Sequence, residues 1–467
     1  MLDVKFVVAN ADAVKANAAR KRATCDVDRI VELERKRVEL TTQENDLQAE
    51  LNKVNKGVGP IIGMLKKSKG GPPTDADRKK IADALDKAVD KQTQPDLHQK
   101  LATAIEAGVD ALQAALGSLG EARVAITQQI RDIEAERDVE LSRVPNMIHA
   151  SVPKGKSAAD NKVVAEHGPK PAAASFKRLP HWDLAQNLGL LQMETGAKLA
   201  GSGFYALKGD LARLEWALIS YFLDCAHKAG YTQWMVPVVA SEPTMYGTGY
   251  LPKMRDQVYH MDERDPGLFL IPTAEAPLTS IHAGDELKDD QLPLCYAAWS
   301  ACFRREAGAA GTGTRGLLRV HQFNKVELFK LAHPDRSHDD HAALRADAEK
   351  VIQGLGLHYR VLELCDADLS FAGAKCWDLE VWSPGVEEWL EVSSVSNFEE
   401  FQARRCNIRF RDAESKKLRY CHTINGSGLA TPRVLVALIE NGQQADGSIV
   451  VPEALRPWMG GQQRIGG

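Results

Sequence analysis

The chain has 467 residues, 44% hydrophobic and 26% charged, with Lys+Arg 59 against Asp+Glu 63. That length holds two or three globular units, and the composition excludes disordered and fibrous classes. With a net charge of -4, any nucleic-acid partner must be met by a local basic patch, because the overall balance supplies no attraction.

No stretch approaches the ~18 to 20 apolar residues of a membrane span. The opening MLDVKFVVANADAVKANAARKR lacks the basic, apolar, small-residue order of a secretory leader. An untargeted, soluble protein with no membrane partner is expected. The eight cysteines are scattered without a C-x-x-C pair, which suits reduced thiols and a cytoplasmic location better than a disulfide framework or a zinc cage.

In chain order, Ile30, Leu33, Arg37, Leu40, Glu44, Leu47, Leu51, Val54, Val58, Ile61 and Leu65 alternate steps of three and four, the seam of a coiled coil. No proline falls between Thr24 and Val58, so the ~1.5 Å rise per residue predicts a helix of about 60 Å. Lys69-Gly70-Gly71-Pro72-Pro73 breaks it, and Thr74 or Asp75 is placed to cap the next helix. A second helical tract runs to about Leu141, with Pro95, Gly117 and Gly120 predicting a kink or an extra segment. Together these make an antiparallel hairpin within 1–145. Such a rod ordinarily serves dimerisation or spacing. Here Lys66, Lys67, Lys69, Lys79 and Lys80 crowd the turn with Lys53, Lys56 and Arg78, opposed only by Asp75 and Asp77, and a basic tip is what an RNA phosphate backbone binds.

Residues 146–175 read as a linker rich in Pro, Lys and small residues, and 176–467 as a second domain. Amphipathic helices at about 208–229 and 336–355 mix there with apolar runs at Trp234–Val239, Leu268–Ile271, Val320–Leu331 and Glu388–Val395. Without regular crossovers, the expected class is α+β: a mixed, mainly antiparallel sheet with flanking helices. The common nucleotide loops fail. Gly155-Lys156-Ser157 has Ala150 where a Walker glycine is required, and Gly201-Ser202-Gly203 opens no helix after a strand. His333, His338 and His341, separated by Asp and Arg, read as a solvated loop entering a helix, and Cys421-His422 as packing.

Arg304, Arg305, Glu306, Arg315, Arg319, Glu327, Glu391 and Arg433 recur inside apolar, strand-like sequence. Singly, each reads as an ordinary surface ion pair. Several on buried strands are costly unless they face a polar ligand. Arginine grips carboxylates and phosphates while glutamate holds Mg²⁺ or an ammonium group, so the inferred ligand carries both phosphate and amine.

The run ACFRREAGAAGTGTRGLLRVHQFNKVELF resembles motif 2 of the class II aminoacyl-tRNA synthetases. NGSGLATPRVLVALIEN resembles their motif 3, a helix presenting Arg433, with Thr431 and Pro432 at the N-cap and first helical position. With PTAEAPLT (272–279), LEVSSVSNFEEFQARR (390–405) and the basic-tipped hairpin, the resemblance narrows to the seryl-tRNA synthetase family and covers nearly the whole chain. It implies a catalytic sheet of six or seven strands and a homodimer whose motif 1 spans 208–239, closed by Pro237. It also implies activation of L-serine by ATP with Mg²⁺, then transfer to tRNA(Ser), with tRNA(Sec) as a second acceptor.

Carried over by the resemblance, Arg304 would bridge the α-phosphate and the serine carboxylate, with Arg305 beside it at the ATP. Glu306 would accept from the adenine amino group, and Phe323 would lie against the ring on a wall of Val320, His321 and Gln322. Arg433 would hold the γ-phosphate, assisted by Arg315. Glu391 and Ser394, flanking Val392 and Ser393, would give oxygens to Mg²⁺. Thr273 and Glu275 would take the serine ammonium group, and Glu327, with Asn425 and Ser427 nearby, the serine hydroxyl. Thr312-Gly313 replaces an Arg-Asp pair of many relatives, and Gly442 stands where relatives often have an aromatic residue. Two rival readings are a class II homologue that loads a carrier protein and a non-catalytic scaffold. The long hairpin speaks against the first, and intact Arg304, Glu306, Glu391 and Arg433 against the second.

Overall fold

The computed structural model describes residues 1–67, 74–92, 94–171, 174–261, 267–306 and 315–466. Lys69, the breaker around it and Thr312-Gly313 lie outside these, as does the side chain of Lys67. The chain divides into two compact units, one of residues 7–11 and 26–141, the other of 1–6, 12–25 and 142–467. No helix among the described residues is long and apolar enough to cross a membrane, and all eight cysteines are free thiols.

In the smaller unit, helix α1 (Val27–Lys67) runs unbroken for 41 residues. Ile30, Leu33, Leu51, Val54, Val58 and Ile61 of its seam are buried. The charged interruptions are paired. Glu34 meets Arg37 at 2.8 Å and, on the returning helix, Arg137 at 2.7 Å, while Glu44 meets Arg123 at 2.9 Å. Partners that ascend one helix as they descend the other fix an antiparallel register. Thr74 caps α2 (Asp75–Ala88), its Oγ1 accepting from Asp77 N at 3.3 Å.

The return tract is α2, α3 (Pro95–Ala107) and α4 (Val109–Ser142). Pro95 opens α3, as expected of a residue without an N–H, and Gly108 at φ 110° closes it. Gly117 and Gly120 do not break the helix; both lie inside continuous α4. The extra segment packs Ile81, Leu85, Leu101 and Leu112 against Val54, Val58 and Ile61 as a core of its own. Gly57 is required there, because a Cβ would lie 2.2 Å from Ala88 Cβ.

The larger unit is built on one sheet of eight strands: β1 (Lys162–His167), β2 (Thr232–Met235), β3 (Leu294–Phe303), β4 (Gln322–Ala332), β5 (Tyr359–Glu363), β6 (Lys375–Ser383), β7 (Glu388–Glu399) and β8 (His422–Ala430). Their order is β1-β5-β6-β7-β8-β4-β3-β2, antiparallel throughout except for β2 beside β3. Helices α5 (Asp210–Lys228), α6 (Ser337–Gly354) and α7 (Thr431–Gly442) share a core with the sheet through Leu218, Phe222, Leu344, Ile352 and Leu435. Phe329 and Leu331 pack in a separate core with Leu278 and Phe410. Covered on both faces, β4 is buried from Lys325 to Ala332, the charged Lys325, Glu327 and Lys330 included.

The stretch 146–175 supplies edge strand β1, and residues 12–25 belong to this unit. Asn17 Nδ2 donates to Asn146 O at 3.1 Å, and Arg20 pairs with Asp366 at 2.7 Å. The tract HPDRSHDDH enters α6 as expected and His338 is exposed, but its other two histidines are not solvated. His333 and His341 are buried, and His341 stacks on Trp377 at 4.2 Å with Nε2 2.9 Å from Val395 O.

Candidate active site

Strands β7, β8 and β4 lie side by side in the sheet, and a cavity of about 410 Å³ opens over them, lined by Glu275, Arg304, Glu327, Glu391, Ser394 and Asn425 among others. It continues into a second space of about 200 Å³ walled by Val320, Phe323, Val392 and Arg433. Arg304, Glu391 and Ser427 line both.

One end is acidic and deep. Glu327 stands opposite Ser427 across β4 and β8 and accepts from Thr273 Oγ1 at 2.7 Å. Lys325, two residues back and so on the same side of the strand, pairs with it. Thr273 Oγ1 also accepts from Glu275 N at 3.1 Å, tying the two acidic residues together. Glu275 accepts from Gln402 Nε2 at 2.8 Å and from the Tyr250 hydroxyl at 3.4 Å. Burial, and then the neighbouring Glu327 carboxylate, push the Glu275 carboxyl up to about 7. Asn425 lies close enough to favour that charge, yet its buried Nδ2 makes no hydrogen bond. This end offers two carboxylates and an unspent amide donor, a set suited to an ammonium group and a hydroxyl.

The other end is cationic. Arg304 leaves the end of β3, its backbone exchanging contacts with His321 (N to O 2.9 Å, His321 Nδ1 to O 2.9 Å), and its guanidinium sits 5.2 Å from the centre of the Phe323 ring. Glu306 holds φ 47°, a strained conformation for a side-chain-bearing residue, and pairs with Arg319 at 3.0 Å. Arg433, in the first turn of α7, donates from Nη1 to Glu391 O at 2.9 Å and from Nε to Leu318 O at 3.3 Å. Thr431 does not cap this helix. Ala430 holds the N-cap position, and the Thr431 hydroxyl donates to Glu215 Oε1 at 2.6 Å.

A β-bulge brings Glu391 and Ser394 together. Leu379 pairs with Ser393 while the next residue, Glu380, pairs with Glu391, leaving Val392 as the extra residue. On a regular strand, residues three apart face opposite sides; here both line the cavity. The Glu391 side chain is 46% exposed, with Arg433 3.6 Å away. A carboxylate and a hydroxyl of this kind fit Mg²⁺, which takes few protein ligands and keeps waters and phosphate oxygens.

The remaining sequence-selected residues are dispersed. Arg315 packs over Trp182 at 4.7 Å and lies 3.7 Å from Asp183. With Val320 and His321 it lines a neighbouring pocket. Gln322 lines another, beside Phe204 and Trp216. Arg305 is exposed, its N donating to Gln257 O at 2.9 Å. Ser393 Oγ donates to Ser427 O at 2.7 Å, stitching β7 to β8. Lys66, Lys79 and Lys80 are exposed on the smaller unit. Sequence reasoning missed Tyr250, Lys325 and Gln402. The spacing of Lys325 to Glu327 was a usable signal and Gln402 lies inside the 390–405 run, whereas Tyr250 arrives from a distant segment with none.

Residues 1–103 match the family model of the seryl-tRNA synthetase N-terminal domain, and residues 258–442 that of the tRNA synthetase class II core domain (G, H, P, S and T). A serine–tRNA ligase of Geobacter sulfurreducens is 42% identical over 468 residues, covering 100% of each chain. One from Geobacillus kaustophilus is 50% identical over 348 residues, 74% of this chain and 81% of its own. The crystal structure of seryl-tRNA synthetase from Pyrococcus horikoshii complexed with ATP matches at TM-score 0.81 and 32% identity, covering 100% of this chain and 99% of that one. Fold alone does not carry function, but identity sustained over helical arm and catalytic sheet alike does define kinship, and the chain belongs to the seryl-tRNA synthetase family of class II aminoacyl-tRNA synthetases.

Proposed function

We propose that the chain activates L-serine with ATP and transfers the seryl group to the 3′ end of tRNA(Ser), with tRNA(Sec) a second acceptor by family resemblance. The observation that carries this is a pair of adjoining cavities with shared lining, with buried Glu275 and Glu327 at one end and Arg304 and Arg433 at the other. An amino acid bearing a hydroxyl meets the first end, and a triphosphate the second.

In this reading Glu275, with Thr273, receives the serine ammonium group, and Glu327, near Asn425 and Ser427, the hydroxyl. Arg304 spans the serine carboxylate and the α-phosphate, Arg433 the γ-phosphate, and Phe323 and Glu306 the adenine. Arg305, Arg315, Val320, His321, Gln322, Val392 and Ser393 complete the ATP wall. The serine carboxylate attacks the α-phosphorus, the bond to the bridging oxygen breaks, and pyrophosphate departs. No side chain becomes covalently attached; the gain comes from orientation and from arginines that stabilise spreading negative charge. When bound through Glu391 and Ser394, Mg²⁺ would supply further charge neutralisation on the phosphates. A ribose hydroxyl of the tRNA then attacks the mixed anhydride, releasing AMP.

The arm, with Lys66, Lys67, Lys69, Lys79 and Lys80, grips tRNA by its phosphates. A homodimer is supported by Trp216, Trp234, Met235 and Val238, exposed in and beside α5 and β2, with Met235 92% exposed. A cytoplasmic location completes the proposal. The test is amino-acid-dependent exchange of pyrophosphate into ATP with each amino acid in turn. Serine alone should drive it, and equal exchange with alanine or threonine would overturn the assignment.

A further inference from the structure

His181 and Glu440 are both 0% exposed and belong to none of the roles above. Glu440 sits near the end of α7, the helix whose first turn presents Arg433. Its Oε1 accepts from His181 N at 2.9 Å and faces His181 Nδ1 at 3.0 Å, while Oε2 accepts from Ser383 Oγ, from Gly385 N at 2.7 Å and from Val386 N at 3.1 Å. Burial opposes the charge, but the bonds from His181 and Ser383 outweigh it and hold the carboxyl below its ordinary range. The far ring nitrogen, Nε2, accepts from Leu317 N at 3.0 Å. An acceptor there needs its lone pair, so the ring proton is on Nδ1, directed at Glu440. The carboxylate selects the tautomer.

Leu317 belongs to the Arg315–Arg319 segment that returns toward β4. Gly316 turns with φ 63°, and a Cβ on it would lie 2.3 Å from His181 Nε2, so the imidazole fills the space against the turn. On either side of this anchor Arg315 packs on Trp182, Leu318 O receives Arg433 Nε, and Arg319 pairs with Glu306. One helix therefore carries Arg433 at its start and, near its end, the acid that sets the histidine holding this segment.

We propose that His181, fixed in one tautomer by Glu440, is a positioning residue that holds the Arg315–Arg319 segment against the ATP site. The inference rests on reading that segment as ATP-facing. Without the imidazole acceptor the fully buried Leu317 N–H is unsatisfied, and the segment shifts to recover a partner.

The test compares His181→Leu, which keeps the bulk and loses the acceptor, with His181→Gln, whose amide can accept from Leu317 and donate to Glu440. Pyrophosphate exchange on the full chain, normalised by active-site titration, should show the KM for ATP raised roughly 10-fold or more in His181→Leu. The KM for serine should stay within about twofold, and His181→Gln should recover most of the loss. Should His181→Leu fail to fold, Gly316→Ala tests the same contact from the other side and must raise the KM for ATP alike. A parental KM for ATP in the folded His181→Leu protein, or in Gly316→Ala, would overturn the proposal. So would equal losses in both His181 variants confined to the active fraction. Arg315→Ala and Arg319→Ala separate the layers. If neither moves the KM for ATP, the ATP-facing reading of the segment fails. If they raise it and His181→Leu does not, the anchor alone fails.

Discussion

Glu275→Gln probes a carboxyl that the fold holds close to neutrality and that serine is expected to charge. The folded group titrates at about 7 against an ordinary 4.5, so the fold favours the neutral form. Below about pH 4.5 the group is neutral in both states and costs nothing. As pH rises from there through 7, it must ionise in the folded protein against burial and Glu327. The separation, about 7 less 4.5, at ~1.4 kcal/mol per pH unit, amounts to about 3 kcal/mol of stability lost once pH exceeds 7. The amide keeps an oxygen for Gln402, so little else changes. Ligand-free Glu275→Gln should therefore melt a few degrees above the parent at pH 8, with most of that gap gone at pH 5. Serine binding should respond oppositely. A hydrogen bond to a charged group contributes ~1.5 to 3 kcal/mol, so the KM for serine in pyrophosphate exchange at pH 8 should rise roughly 10- to 100-fold, with the KM for ATP unmoved. In the parent, the KM for serine should climb about tenfold per pH unit below 7. A melting difference that is the same at pH 5 and pH 8, or a parental KM for serine in the variant, would refute the reasoning.

Glu327→Ala removes the acceptor of Thr273 and the partner of Lys325; serine-dependent exchange should fall severely, and the preference for serine over alanine should shrink by up to ~10⁴. An unchanged preference would sink its assignment to the hydroxyl. Arg304→Ala and Arg433→Ala should each lower adenylate formation by ~10²-fold or more while circular dichroism stays parental, since each removes a donor aimed at developing charge; parental exchange in either would remove that arginine from the phosphate site. Replacing residues 27–141 with a short linker should leave serine-dependent exchange nearly intact and collapse tRNA charging, because the cavity is built within the larger unit. Normal charging by the armless protein would end the tRNA-gripping reading.

The sequence by itself determined the elements whose signals are local. The seam from Ile30 to Leu65 fixed α1, because a period near 3.5 admits no other regular structure. The apolar runs at Val320–Leu331 and Glu388–Val395 fixed β4 and β7 to within a few residues, and Thr74 fixed the cap of α2. Motif spacing likewise named Arg304, Glu327, Glu391 and Arg433 before any geometry, since charges in apolar strands stand out against the composition that surrounds them.

Only the tertiary structure decided what depends on contacts between distant segments. The bulge at Val392 that turns Glu391 and Ser394 to one side is a matter of pairing with β6, and pairing is absent from the strand's own pattern. The charged seam positions Arg37 and Glu44 were interruptions until Glu134 and Arg123, on the returning helix, supplied partners. Gly108 ended a helix at a positive φ and Gly117 stayed inside one, a choice that the residue type alone does not make. The proton on Glu275 belongs to its surroundings, since burial and the Glu327 carboxylate, 52 residues away on β4, set its affinity. Ionisation, register and strand pairing are properties of neighbours in space, and a chain read from end to end shows only neighbours in order.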